Sequence, residues 1–264
     1  MIEFAQNSWS LIVPFAAFAI FALVERLFPR QNLHFRNRRW ITHAGFFVTN
    51  IGIGRAISLI SVTSAAAFAT QHGWGALHLV DLPLWAQLLA SLVVYDFAVW
   101  AQHAAMHQSS LLWRMHQVHH SDRELDVTSA LRFHPFELIV STAYKSLVII
   151  ALGAPAWIAI AVELWLGVNA LFNHSNIALP RRLDYFLRYI IVTPDMHLVH
   201  HSIDPDEQRH NFGFGLTIWD RIFGRYLAES HTGRSNEIVG LQSAQNASPA
   251  LWGWSMLLPF RPVK

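Results

Sequence analysis

The chain has 264 residues, 53% hydrophobic and only 14% charged, with 11 Trp and 18 Phe. A soluble domain carries about 25% charged residues, so this balance points to a membrane protein. The absence of cysteine excludes a disulfide framework, a thiolate zinc site and an iron–sulfur cluster, and a net charge of +2 without a basic stripe argues against a nucleic-acid partner.

Residues 9–25 form an apolar run long enough for a first spanning helix. Only Glu3 precedes it, with no Lys or Arg, and no small-residue cleavage site follows, so it reads as a retained helix rather than a signal peptide. Residues 26–39 carry Arg26, Arg30, Arg36, Arg38 and Arg39, and the positive-inside rule makes this a cytoplasmic loop. A second apolar run, 43–69, is interrupted by Arg55, which is expected to face the bundle interior or to snorkel. Gly52 and Gly54 beside it would permit close helix packing.

Residues 70–82 hold no Lys or Arg and read as an outer loop, with His72 and His78 too remote to join a site. Residues 84–101 make a third span that runs without a breaker into His103 and His107. Asp96 lies two turns before His103 on nearly the same face. It can accept a hydrogen bond from an imidazole or serve helix packing.

Residues 108–135 are polar and end in His134-Pro135. Residues 136–173 are nearly all apolar, too long for one span, with a turn signal at Gly153 and Pro155. They predict a helical hairpin that crosses and returns, and its isolated charges, Lys145 and Glu163, are expected to pair across it. The hairpin delivers His174 to the starting side. Residues 180–194 are amphipathic and basic, suited to the membrane interface. Residues 203–215 read as loop. The tail at 249–262 carries Trp252, Trp254 and Phe260 as interfacial anchors.

The 16 histidines are the compositional outlier. HAAMH at 103–107, HQVHH at 116–120 and HLVHH at 197–201 place imidazoles three and four residues apart, which is one face of a helix. Each block can aim two or three of them at one point. The predicted topology brings His103, His107, His116, His119, His120, His174, His197, His200 and His201 to one membrane face. Nine imidazoles exceed the need of one metal ion, and two ions sharing them fit better. Neutral imidazole suits zinc, copper, iron and nickel, whereas magnesium and calcium want oxygen. There is no HExxH, in which a glutamate beside zinc acts as base. The carboxylate-rich pattern of soluble di-iron bundles, which combines Glu with Glu-x-x-His ligands, is also missing. A haem would need two axial histidines on facing spans.

These motifs lie within YDFAVWAQHAAMH (95–107), LWRMHQVHHSD (112–122), RFHPFE (132–137), TPDMHLVHHS (193–202) and NFGFGLTIWDRIFGRY (211–226). Together they resemble the fatty acid hydroxylase / sterol desaturase superfamily over roughly residues 85–228. The resemblance implies a membrane-bound, non-haem di-iron oxidoreductase that uses O2 and two external electrons to hydroxylate or desaturate a C–H bond of a lipid, such as a sterol, fatty acyl chain or sphingolipid-like molecule. It implies that the nine histidines hold two iron ions. Some members carry a further histidine where this chain has Ala170, and His134 or His210 is then a candidate for the vacant position. Asp195 and Asp220 are expected to orient ligands through hydrogen bonds.

The sequence thus predicts an all-α integral membrane protein with about four transmembrane helices and a cytoplasmic histidine-rich helical cap, in the inner membrane if the source is bacterial. It divides into membrane helices (1–84), a di-iron domain (85–228) and a tail (229–264). Residues 1–84 hold no cytochrome b5-like domain, so a separate ferredoxin- or cytochrome-type donor is expected. A zinc-dependent membrane hydrolase is the alternative, and a metal carrier fits poorly because the spans are almost free of ligands.

Overall fold

The computed structural model describes residues 2–34, 36–233 and 238–261. Its helices are α1 (Ile2–Leu27), α2 (Arg36–Ala56), α3 (Val62–His72), α4 (Leu84–Gln108), α5 (Ser110–His120), α6 (Pro135–Leu152), α7 (Ala156–His174), α8 (Arg181–Leu187), α9 (Pro194–His200), α10 (Ile218–Ile222) and α11 (Trp252–Leu257). No β-strand occurs among the described residues, only isolated bridges. Four helices are long and apolar enough to cross a membrane: Trp9–Leu27 of α1, then α4, α6 and α7. Leu11, Phe15 and Leu23 on α1 and Leu84, Trp85 and Leu89 on α4 are exposed, as expected of side chains that face lipid.

The expected second span is not one helix. α2 stops at Ala56, a 3-10 turn occupies Ser58–Ile60, and Ser61 caps α3 by accepting from the Ser64 N–H. Serine hydroxyls favour such caps over helix interiors. α2 also begins earlier than predicted, so Arg38 and Arg39 belong to a helix rather than a loop. Arg39 is buried against Asp122 and Asp126, and Arg30 pairs with Asp195 at 2.7 Å, so these cations serve the interior. Arg55 is exposed in the last turn of α2, where a cation complements the helix dipole. Gly52 and Gly54 have no neighbour that a side chain would meet, so close packing is not their role. The Arg36 side chain and, in the tail, residues 234–237 and 262–264 lie outside the described residues.

Despite the break, α2 and α3 together run from the cap to the far end of the α6–α7 hairpin. Gly153 turns that hairpin in the left-handed region (φ 71°), and a Cβ on Gly75 would fall 2.1 Å from the Gly153 nitrogen. The core between α3, α4, α6 and α7 is built from Val62, Ala66, Tyr95, Ile149, Ile158 and Val162. Lys145 and Glu163 pair across the hairpin as expected, at 2.8 and 3.0 Å. The residues around α8 expose Leu183, Tyr185, Phe186, Tyr189 and Ile190, consistent with the interfacial reading.

The rest of the chain caps one end of these helices. Ser109 is at once the C-cap of α4 and the N-cap of α5, where its hydroxyl accepts from Leu112 N–H. One extended residue therefore folds α5 back beside the end of α4. His134 caps α6, with Pro135 in its first turn.

Candidate metal centre

The nine histidines singled out by spacing gather into two groups. His103, His107, His116, His120 and His200 form one; His119, His174, His197 and His201 form the other. In each, the nitrogen atoms lie within 4.8 Å of one another. All are buried except His107, which is partly so.

The HxxHH blocks do not each point at one place. In α5 the i and i+4 members, His116 and His120, turn to the first group, while His119 turns to the second. In the α9 block, His197 and His201 serve the second group and His200 the first. Helix geometry accounts for this split. At about 100° per residue, i and i+4 are about 40° apart, while i+3 lies about 60° to the other side. The two blocks thus each contribute to both groups, in mirrored proportion.

The imidazoles meet tip to tip. Nε2 of His103 lies 3.0 Å from Nε2 of His116 and 3.0 Å from that of His200. His174 Nε2 lies 2.9 Å from His119 Nε2 and 3.0 Å from His197 Nε2. The His116–His120 and His197–His201 pairs are each at 3.2 Å.

The outer ring nitrogens fix four tautomers. His103 Nδ1 donates to the Phe212 carbonyl (2.8 Å), His174 Nδ1 to that of Ala170 (2.7 Å), and His200 Nδ1 to that of His210 (2.8 Å). A carbonyl oxygen can only accept, so each of these Nδ1 atoms carries the hydrogen. His116 Nδ1 faces Glu137 Oε1 at 2.7 Å, which sets its tautomer in the same way. In a neutral imidazole the opposite nitrogen then holds a bare lone pair. His103, His116 and His200 therefore direct lone pairs at one point.

Burial keeps the rings of His119, His120, His197, His200 and His201 neutral. It is the main cause, with neighbouring imidazoles second, that holds His119, His120, His197 and His201 well below the ordinary histidine value. Burial likewise pushes His200 down to about 3. Converging neutral lone pairs repel unless a cation lies between them. His107 Nε2, buried within the first group, also lacks a hydrogen-bond partner among the described residues. The donor set thus fits two metal ions, one per group.

Four further candidates lie elsewhere. His134 is spent on helix capping: Nδ1 accepts from Phe136 N–H, and Nε2 faces the Met256 carbonyl at 3.3 Å. The His210 ring bonds its own turn through Asp206 O, and only its main-chain carbonyl reaches a cluster histidine. Neither fills the position opened by Ala170, whose carbonyl instead holds His174. Asp96 accepts from Trp165, Trp219 and the Leu216 N–H rather than from an imidazole. Asp195 pairs with Arg30. Asp220 orients His103 at one remove. It accepts from Phe212 N–H, Gly213 N–H and Trp100 Nε1, and so fixes the loop whose carbonyl holds His103. Glu137 is the residue that spacing did not single out. Its signals were its place at the end of RFHPFE and a lone carboxylate opening an apolar helix beside the histidines.

A second polar layer braces the cap. Arg39 bonds both oxygens of Asp122 (2.7 and 2.8 Å) and Asp126 Oδ2 (2.9 Å). Burial opposes ionisation of Asp122, and Arg39 and His43 outweigh it, holding the carboxyl well below its usual range.

Two cavities border the first group. One, of about 610 Å³, opens through the cap at His107, Trp113, Gln117, Arg209 and Arg261. The other, of about 350 Å³, lies between α4, α6 and α7 with His103, His116 and Glu137 in its lining, and Pro14 of α1 also borders it. Its walls are mainly apolar, with Val99, Met106, Leu138, Leu166 and Phe214.

The sequence profile of the fatty acid hydroxylase family matches residues 88–225, which hold all nine histidines and the loop that orients His103. The chain belongs to the fatty acid hydroxylase family. Among its relatives in that family is the ornithine lipid hydroxylase OlsE of Rhizobium tropici, 29% identical over 83% of this chain and 67% of that protein. Alkylglycerol monooxygenases also match. The Danio rerio protein is 30% identical over 70% of this chain, and the Homo sapiens protein 26% over 60%. The chain spans 41% and 35% of the lengths of those two relatives. No solved structure matches it.

Proposed function

We propose that this member of the fatty acid hydroxylase family is a multi-pass membrane monooxygenase that inserts one oxygen atom of O2 into a C–H bond of a lipid. In the balanced reaction, R–H, O2, two electrons and two protons give R–OH and water. The observation that carries the reading is the convergence of nine imidazoles, four of them tautomer-fixed, into two groups beside an apolar cavity between spanning helices. Hydroxylation is favoured over desaturation because the relatives are named as a hydroxylase and monooxygenases.

The metal is proposed to be iron in both groups, supplying O2 activation and oxidising power when bound. The relatives named as a hydroxylase and monooxygenases favour this reading over a zinc hydrolase. The protein's own part is positional. Glu137 and the carbonyls of Phe212, Ala170 and His210 hold four imidazoles with their lone pairs inward. The cavity takes an alkyl chain from the bilayer and keeps water from the reacting carbon. The cavity at His107, lined mainly by cap residues, is where a ferredoxin- or cytochrome-type donor can approach. The arginine-rich segment near α2 supports a cytoplasmic cap, in the inner membrane if the source is bacterial. Residues 85–228 serve as the catalytic domain, with 1–84 and 229–264 flanking it.

The test is metal and oxygen analysis of the protein purified in mild detergent without an affinity-metal step. Two irons per chain are expected, and 18O from 18O2 in the hydroxyl of an ornithine lipid or alkylglycerol incubated with reductant. Folded protein that holds no iron and cannot be reconstituted with it would overturn the reading.

A further inference from the structure

Lys145 and Glu163 are ionisable residues near the middles of two spanning helices. Charge at such depth is costly and marks function more often than packing. Here the pair stands in the wall of the apolar cavity. The ammonium contacts both carboxylate oxygens, at 2.8 and 3.0 Å. The buried Tyr95 hydroxyl also donates to Glu163, fixing the carboxylate from behind. Both charged side chains keep part of their surface free, 20% for Lys145 and 36% for Glu163. Ser141 and Gln102, hydrogen-bonded to each other, line the same cavity.

The separation along α6 follows from helix rise. Lys145 is eight residues along α6 from Glu137, about 12 Å. One end of the cavity thus carries His103 and His116, and the other a Lys–Glu–Tyr group. On the reading of the cavity as a lipid channel, we propose that Lys145 and Glu163 form a subsite for a neutral polar group of the substrate, a hydroxyl or an amide, at the end of the cavity away from His103 and His116.

Charge decides the chemical class. The pair is closed and electrically neutral. An entering carboxylate would meet Glu163, and an entering amine would meet Lys145. A hydroxyl or amide can donate to the carboxylate and accept from the ammonium without separating them. It also replaces the water those groups would otherwise require in an apolar wall. The subsite therefore sets which carbon reaches the metal groups, and it excludes simple alkanes and fully capped ethers.

The test is binding, which needs no turnover. A tritiated long-chain alkylglycerol with both hydroxyls free is bound to the full-length protein in mild detergent, then competed with its unlabelled parent or its di-O-methyl ether. Hydrogen bonds to charged groups predict that the free-hydroxyl compound competes about ten- to a hundred-fold better. The double variant K145M/E163M, which leaves no unpaired charge, should lose that preference while keeping its metal content and melting temperature. Equal competition by both compounds in the unsubstituted protein overturns the proposal, even if the double variant fails to fold. An unchanged preference in a folded double variant also overturns it. Failure of the hydroxylase reading would show separately, as absence of oxygen incorporation with this preference intact.

Discussion

His116 Nδ1 meets Glu137 Oε1 at 2.7 Å, and among the described residues it alone of the nine clustered imidazoles has a carboxylate behind it. The carboxylate fixes the tautomer and strengthens the opposite nitrogen as a donor. Glu137→Ala should leave the ring free to turn and weaken metal retention in the first group by about 10- to 100-fold. Glu137→Gln, which keeps an acceptor, should lose less. Chelator titration of the loaded proteins, followed by metal analysis, checks both; identical retention in all three would refute the role.

The division into two groups gives a stoichiometric expectation. His200→Ala removes a member of the five-histidine group and His119→Ala one of the four-histidine group. Each should lower metal content toward one ion per chain, and the double variant toward none. A single substitution that empties both groups would mean that the ions bind as one interdependent unit.

Metal removal should be visible in stability. Ions that bind the folded chain and not the unfolded one stabilise it. Without them, the lone pairs of His103, His116 and His200 face one another uncompensated. The loaded protein should therefore melt at higher temperature than the chelated one, by a margin that shrinks in His200→Ala. Coincident melting curves for the loaded and stripped proteins would count against occupation of these groups.

Two glycines separate cavity from scaffold. A Cβ on Gly215 would fall 2.2 Å from Asp96 Oδ2 and 2.5 Å from Trp165 Nε1. Gly215→Ala should thus cost about 1–3 kcal/mol of stability through overpacking, measured as a lower melting temperature. Gly167 lines the cavity, and a methyl group added there would meet nothing within 4 Å. Gly167→Leu should fold and bind metal normally yet lose lipid turnover. Full turnover in that variant would place the substrate elsewhere.

Arg39 supports the cap through Asp122 and Asp126. Arg39→Met strands two buried carboxylates and should destabilise by about 3–5 kcal/mol, read by denaturant or thermal unfolding in detergent. A loss below about 1 kcal/mol would show that water replaces the guanidinium, as at exposed pairs.

The spanning helices and the nine histidines are legible in the sequence because their signals are local: a long apolar run, or imidazoles three and four apart. The allocation of histidines between groups is not, since it depends on how α5 and α9 are rotated against α4 and α7. Asp96 shows the same limit. Its spacing from His103 places it on the right helix face, but Trp165 and Trp219, 69 and 123 residues away, take its oxygens. The break between α2 and α3 is hidden by composition, because Ile57 to Ser61 reads as part of an apolar run until Ser61 is seen to cap. His134 reads as a ligand candidate because a cap and a ligand look alike in sequence before Pro135.

Ser109, shared by α4 and α5, has a consequence for the order in which the centre is made. Four of the five members of the first group, His103, His107, His116 and His120, lie within 18 residues that span that hinge. The second group draws on His119, His174, His197 and His201 and closes only when distant parts of the chain meet. Closing a short loop costs less entropy than closing a long one. During synthesis the first group can gather four of its five donors while the α6–α7 hairpin is still to be made, and it then waits only for His200.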